Sequence, residues 1–60
     1  MIAYDMFNDV LQINDEVRFI IDHDEYVGTI NHISDNFLKV NSLKGEYRRK
    51  ASNVVKVKKG

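Results

Sequence analysis

Val17, Phe19 and Ile21 stand two residues apart, with Arg18 between the first two, a spacing that puts three apolar side chains on one face of an extended chain. The two-residue period marks a strand, and the pattern resumes after each polar break. Residues 27–34 form a second expected strand rich in Val, Thr and Ile, which suit a pleated surface. Residues 37–42 form a third, with Leu38 and Val40 facing inward, residues 47–50 a fourth and residues 54–58 a last. Between them lie an acidic break at residues 22–25, tight turns at Asp35-Asn36 and Lys44-Gly45, and a short helical turn at Ala51-Ser52-Asn53. Ile30 and Ile33 are three apart, which a flat strand does not place on one face, so a bulge is expected between them. Gly28 is expected where the backbone passes too close to a neighbour for a side chain. Five short strands, tight turns and no proline predict an all-β, closed five-stranded barrel.

The size of the chain sharpens this. Sixty residues make one domain, and a chain of that length buries only about 60% of the surface its unfolded form exposes. Cysteine is absent, so neither disulfides nor thiolate metal sites brace the fold, and apolar packing with backbone pairing must suffice. An apolar fraction of 43% against a charged fraction of 30% is that of a globular domain and not of a disordered tail.

Residues 2–11 have another pattern. Ala3, Met6, Phe7 and Val10 fall at i, i+3, i+4 and i+7, the stripe of an amphipathic helix. The expected division is therefore an N-terminal lid segment, residues 1–12, over a barrel, residues 13–60. The stripe either closes one end of the barrel or docks on a partner or a second copy of the chain. Asp5 and Asp9 interrupt any signal-peptide core, and no apolar run has the length of a membrane span, so the expected compartment is the cytoplasm, with no membrane partner.

Net charge is zero but unevenly spread. Residues 1–25 hold seven acids and one base, a net of −6, whereas residues 26–60 hold eight bases and two acids, a net of +6. Strands from the two halves interleave in a barrel, so cross-strand pairing cancels this asymmetry; otherwise the molecule has an acidic and a basic face that steer different partners.

The order of residues resembles the KOW-type members of the SH3-like barrel superfamily, which includes Tudor-like modules. Asn14-Asp15-Glu16-Val17-Arg18-Phe19 follows their turn and V-x-F strand, with Asn14 where glycine is usual. Gly28-Thr29-Ile30-Asn31-His32-Ile33 follows their G-x-I-x-x-I segment, and Leu38, Val40 and Asn53-Val54-Val55-Lys56-Val57 fit the later strands. The similarity runs from Leu11 to Val57. It implies the SH3-like fold, and members of this kind often bind RNA, ribosomal or transcription complexes, or short protein segments. Ala3-Tyr4-Asp5 is similar to the opening of peptide-binding SH3 domains, but the chain has no tryptophan for a proline-rich ligand to pack on.

No nucleophile elbow and no phosphate-cradling glycine loop is present, so no enzyme, cofactor or catalytic residue is expected. Asp22-His23-Asp24-Glu25 is the densest cluster of potential metal ligands, but it lacks a calcium-loop spacing, and His32 is the only other histidine; it reads as a solvated acidic loop. Tyr47-Arg48-Arg49-Lys50, with Lys39 on the neighbouring strand and Lys56, Lys58 and Lys59 near the C-terminus, is the candidate footprint for RNA or DNA, with Phe37 and Tyr47 as stacking platforms. Alternation gives a finer expectation: if Tyr47 faces the core, Arg48 and Lys50 point outward beside Lys39 and make the phosphate contacts, while Arg49 lies at the rim. The competing expectation is a protein–protein adaptor or small inhibitor, of the kind a phage encodes, using Asp22, Asp24 and Glu25 with Met6, Phe7 and Val10. The oligomeric state expected is a monomer or a small homo-oligomer.

Overall fold

A computed structural model of the chain describes residues 2–58; Met1 of the lid segment and Lys59 of the basic tail lie outside them. The regular elements are β1 (Ala3–Tyr4), β2 (Val10–Leu11), β3 (Glu16–Ile21), β4 (Asp24–Ile33), β5 (Leu38–Ser42), β6 (Gly45–Arg49), a single 3-10 turn (Ala51–Asn53) and β7 (Val55–Lys56). β1 and β2 form a two-stranded antiparallel sheet. The others form a five-stranded antiparallel sheet in the order β6-β5-β4-β3-β7. The fold is all-β, and the ladder ends at β6 and β7, which are not paired with each other.

Alternation decides the core. Val17 and Phe19 of β3, Ile30 of β4, and Leu38 and Val40 of β5 are buried on one side of the sheet, joined by Leu11 and Val54. The expected bulge lies where register shifts between Ile30 and His32: Ile30 pairs with Val40 and His32 with Lys39, leaving Asn31 as the extra residue. Ile33 thereby returns to the core side and packs on the cluster. At Gly28, a Cβ would stand 2.6 Å from Val40 Cγ1 and 2.8 Å from the Asn41 carbonyl oxygen, so only a hydrogen fits.

Two turns differ from expectation. The acidic break shrinks to Asp22-His23, both at positive φ (50° and 72°), as the type I′ turn of a two-residue hairpin requires. That turn matches the twist of the flanking strands, so Asp24 and Glu25 enter β4. The β5–β6 turn is Leu43-Lys44, and Gly45, at φ 126°, opens β6. Asn14 sits at φ 77°, the left-handed region that glycine favours and asparagine tolerates.

The N-terminal segment is not helical. It is the β1–β2 hairpin, in which Ala3 pairs with Leu11 and Tyr4 with Val10. The expected stripe of Ala3, Met6, Phe7 and Val10 is therefore split: Ala3 packs on the core, whereas Met6, Phe7 and Val10 are exposed. The side chain that the segment buries is Leu11, which the helical stripe leaves out. The physical reason is Asp5, only 4% exposed. Its Oδ1 accepts the Phe7 N–H (2.8 Å) and the Asp9 N–H (2.9 Å), bending the chain into a turn, and Asn8 takes φ 67° within it. Its Oδ2 accepts the Lys56 N–H (2.8 Å), and the Met6 N–H donates to the Val54 carbonyl (3.0 Å). One carboxylate thus ties the hairpin to β7 and helps cover the edge that β7 does not share with β3. Burial pushes the Asp5 carboxyl up, but the Lys56, Asp9 and Phe7 N–H donors and the Lys58 charge outweigh it and hold the group below the usual aspartate range.

Candidate functional site

On β6, the side-chain period places Tyr47 and Arg49 on the inner side and Glu46 and Arg48 on the outer. Tyr47 lies 6.0 Å from Phe19 and 5.7 Å from Tyr26, ring centre to ring centre, closing an aromatic triangle with the 5.8 Å Phe19–Tyr26 pair. The Arg49 guanidinium stands 5.9 Å from Phe19 and 5.8 Å from Tyr47, and Lys44 Nζ lies 5.4 Å from Tyr26. The chain's own cations therefore cover this triangle.

The outer side is different. Lys39 and Arg48 are direct cross-strand partners. Arg48 stacks over Phe37, guanidinium carbon 4.9 Å from the ring centre, and the His32 ring lies 6.0 Å from the same ring. The bulge at Asn31 brings His32 opposite Lys39. Asn31 Nδ2 donates to Glu46 Oε2 at 2.9 Å, engaging the one carboxylate on the outer side of β6. A shallow cleft opens beside Phe37, lined also by Tyr4 of β1 and by Lys50, Ala51 and Ser52 around the 3-10 turn.

Of the residues expected to contact nucleic acid, the structure brings Phe37, Lys39 and Arg48 together and puts Lys50 on the same cleft as Phe37. Tyr47 and Arg49 it turns to the other side of β6. Tyr4 and His32 join the cluster without having been expected there. Tyr4 arrives through the hairpin pairing, and only the bulge, legible in the Ile30–Ile33 spacing, could have pointed to His32.

The residues of the competing surface are spread. Asp22 is in the hairpin turn, Asp24 and Glu25 follow it on β4, and Glu25 pairs with Arg18 at 3.8 Å. Phe7 shares a cleft with Arg18 and Val55, whereas Val10 lines a separate one with Ile2, Ile13 and Ile33. Among the described residues, no three acidic or imidazole groups converge to hold a metal ion, and no helix is long and apolar enough to cross a membrane.

The charge asymmetry resolves in two ways. Lys56 pairs with Asp15 (3.4 Å) and Lys58 with Asp9 (3.0 Å), so the two halves of the sequence neutralise each other around β7. Among the described residues, none of the ion pairs includes Lys39, Arg48 or Lys50. No protein-family model, curated protein or solved structure matches the chain.

Proposed function

We propose that this domain is a small SH3-like barrel that binds single-stranded RNA or DNA on the outer side of β5 and β6. The observation that carries this is the cross-strand pair Lys39–Arg48, two cations held side by side with no carboxylate partner among the described residues, next to the Phe37 ring. Like charges directly opposite one another oppose folding, and a phosphate placed between them relieves that repulsion. Tyr4, half exposed at the cleft, offers a ring on which a base stacks, Phe37 anchors the Arg48 guanidinium beside it, and Lys50 adds a third cation at the cleft. The barrel part of the proposal draws on curvature: β6 and β3 are three positions apart in the sheet, about 14 Å if it were flat, yet Tyr47 and Phe19 meet at 6.0 Å. The family resemblance points the same way.

The test is titration of a labelled pyrimidine oligonucleotide at rising salt. Three phosphate contacts predict a log–log slope of about −2 for a single strand, and reversing Arg48 and Lys50 to Glu should abolish binding without unfolding the domain. No affinity at low salt, or unchanged affinity in the double reversal, overturns the proposal.

A second function, the protein–protein adaptor or small inhibitor, is favoured by the exposure of Met6 and Phe7 at the hairpin turn. Apolar docking of that kind hardly responds to salt.

A further inference from the structure

The outer side of β3 and β4 carries a square of four side chains. Arg18 stands opposite Val27, and Ile20 opposite Glu25. One diagonal is the Arg18–Glu25 ion pair, with both side chains about half exposed. The other diagonal is apolar, with Ile20 59% and Val27 46% exposed. The apolar character continues outward on both flanks. Val55 of β7 is the other cross-strand partner of Arg18, and Phe7 lies in the cleft beside it. Toward β5, Leu43 shares a cleft with Val27. Leu43 is fully exposed at the tip of a two-residue turn, a position that polar residues normally fill. An apolar band thus crosses the sheet and is interrupted by one ion pair.

We infer that this band is the interface of a homodimer, its occupant being the same face of a second copy. Charge selects that occupant. The ion pair on the band carries one charge of each sign, and beside Phe7 the cations Lys58 and Lys56 are each matched by a carboxylate, Asp9 and Asp15. A partner or a membrane surface of single sign would meet repulsion from half of these groups. A second copy avoids that repulsion when the twofold axis crosses the Arg18–Glu25 diagonal at its midpoint, because an isologous contact of that kind sets Arg18 of each chain against Glu25 of the other. The cations on β5 and β6 stay outside the band, so the dimer presents two copies of the basic side. Its existence does not depend on what that side binds.

The test is sedimentation equilibrium of the whole chain from about 10 μM to about 1 mM, spanning the affinities of weak to moderate interfaces. The wild-type mass should rise toward that of a dimer. Val27→Glu should weaken association at least tenfold, and Ile20→Glu serves in its place if Val27→Glu fails to fold by circular dichroism. Arg18→Glu alone and Glu25→Arg alone should each remain monomeric, since each sets like charges together twice. Their equimolar mixture should dimerise, because both contacts then join opposite signs; an ion pair acting only within one chain does not produce that rescue. A wild-type chain monomeric throughout, a Val27→Glu or Ile20→Glu chain that associates like the wild type, or a mixture that fails to associate overturns the inference.

Discussion

The two sides of this small sheet handle their cations differently. Around β3 and β7, each cation among the described residues has a carboxylate: Arg18 has Glu25, Lys56 has Asp15 and Lys58 has Asp9. On the outer side of β5 and β6, Lys39 faces Arg48, and the aromatic Phe37 takes the place a carboxylate would have. Lys56 and Lys58 come from the same basic half of the sequence as Lys39 and Arg48. The difference shows that the +6 of residues 26–60 is cancelled only where the acidic half folds against it. What is left over is concentrated around two strands, so a chain with no net charge still carries a local positive patch.

That comparison depends on the sheet holding its register, and the substitution expected to break it most severely is Gly28→Val. Gly28 lies between Val17 and Ser42, the residues it pairs with on β3 and β5, so it joins the paired side to the unpaired one. A Cβ at 2.6 Å from Val40 Cγ1 and 2.8 Å from a backbone oxygen forces β4 and β5 apart. The expected loss is about 3 kcal/mol or more, the upper part of the range for overpacking, and a domain of this size has only about 3–5 kcal/mol in total. The variant should lose most or all of its stability, seen as a large fall in the urea midpoint at 25 °C. A wild-type midpoint would mean that β4 and β5 do not lie at this spacing.

Next in size is Asp5→Asn, which tests whether the paired side is held by the hairpin latch as well as by its ion pairs. The side-chain amide can accept through only one oxygen, so at least one of the Phe7, Asp9 and Lys56 N–H groups loses its acceptor, at a cost of about 1.5–3 kcal/mol for a charged hydrogen bond. The pH dependence follows from the direction of the Asp5 shift. Its folded carboxyl titrates below the unfolded value of about 3.9. The unfolded chain therefore binds the proton first as pH falls, and the stabilisation, complete above that value, is lost on descending toward the folded one. Urea denaturation at pH 6 and pH 3 should show wild type losing more stability than Asp5→Asn. Equal losses would mean that the carboxylate does not hold the hairpin.

The strands, the bulge and the Gly28 contact were legible because each depends on local spacing. Val17 and Phe19 fix a face, and the Ile30–Ile33 interval forces an extra residue wherever both reach the same core. The hairpin was not legible. Ala3, Met6, Phe7 and Val10 satisfy a helical period by coincidence, and the competing structure is selected by Asp5, whose third backbone donor lies 51 residues away. No local pattern reports that a carboxylate will be buried by a strand at the other end of the chain. The candidate site was legible in the same measure: alternation placed Arg48 outward and Tyr47 inward, while Tyr4 reached the cleft only through the hairpin.

The smallest expected effect is the most pointed test of the comparison. If the outer side of β5 and β6 keeps two cations opposed for the sake of a ligand, removing the repulsion should make the domain more stable and less able to bind. Lys39→Glu converts the Lys39–Arg48 contact from like to opposite charge at the same register. Cross-strand pairs of this kind contribute roughly 0.2–1 kcal/mol, with like charges unfavourable, so stability should rise by about 0.5 kcal/mol. The gain should shrink at high salt, because both side chains are near the surface and surface attraction is screened there. Glu46 lies two residues from Arg48 on the same strand and is already bonded to Asn31, so it should blunt the gain without reversing it. The matching control on the paired side is Lys58→Glu. It turns the Lys58–Asp9 pair from opposite to like charge and should lower stability by a similar few tenths, since the Lys58 side chain is largely exposed. Chemical denaturation of the three proteins at low and high salt measures both changes. Opposite signs for Lys39→Glu and Lys58→Glu, converging as salt rises, would establish that the two sides differ as their charges suggest; equal signs would show that the cations on β5 and β6 are already balanced within the chain.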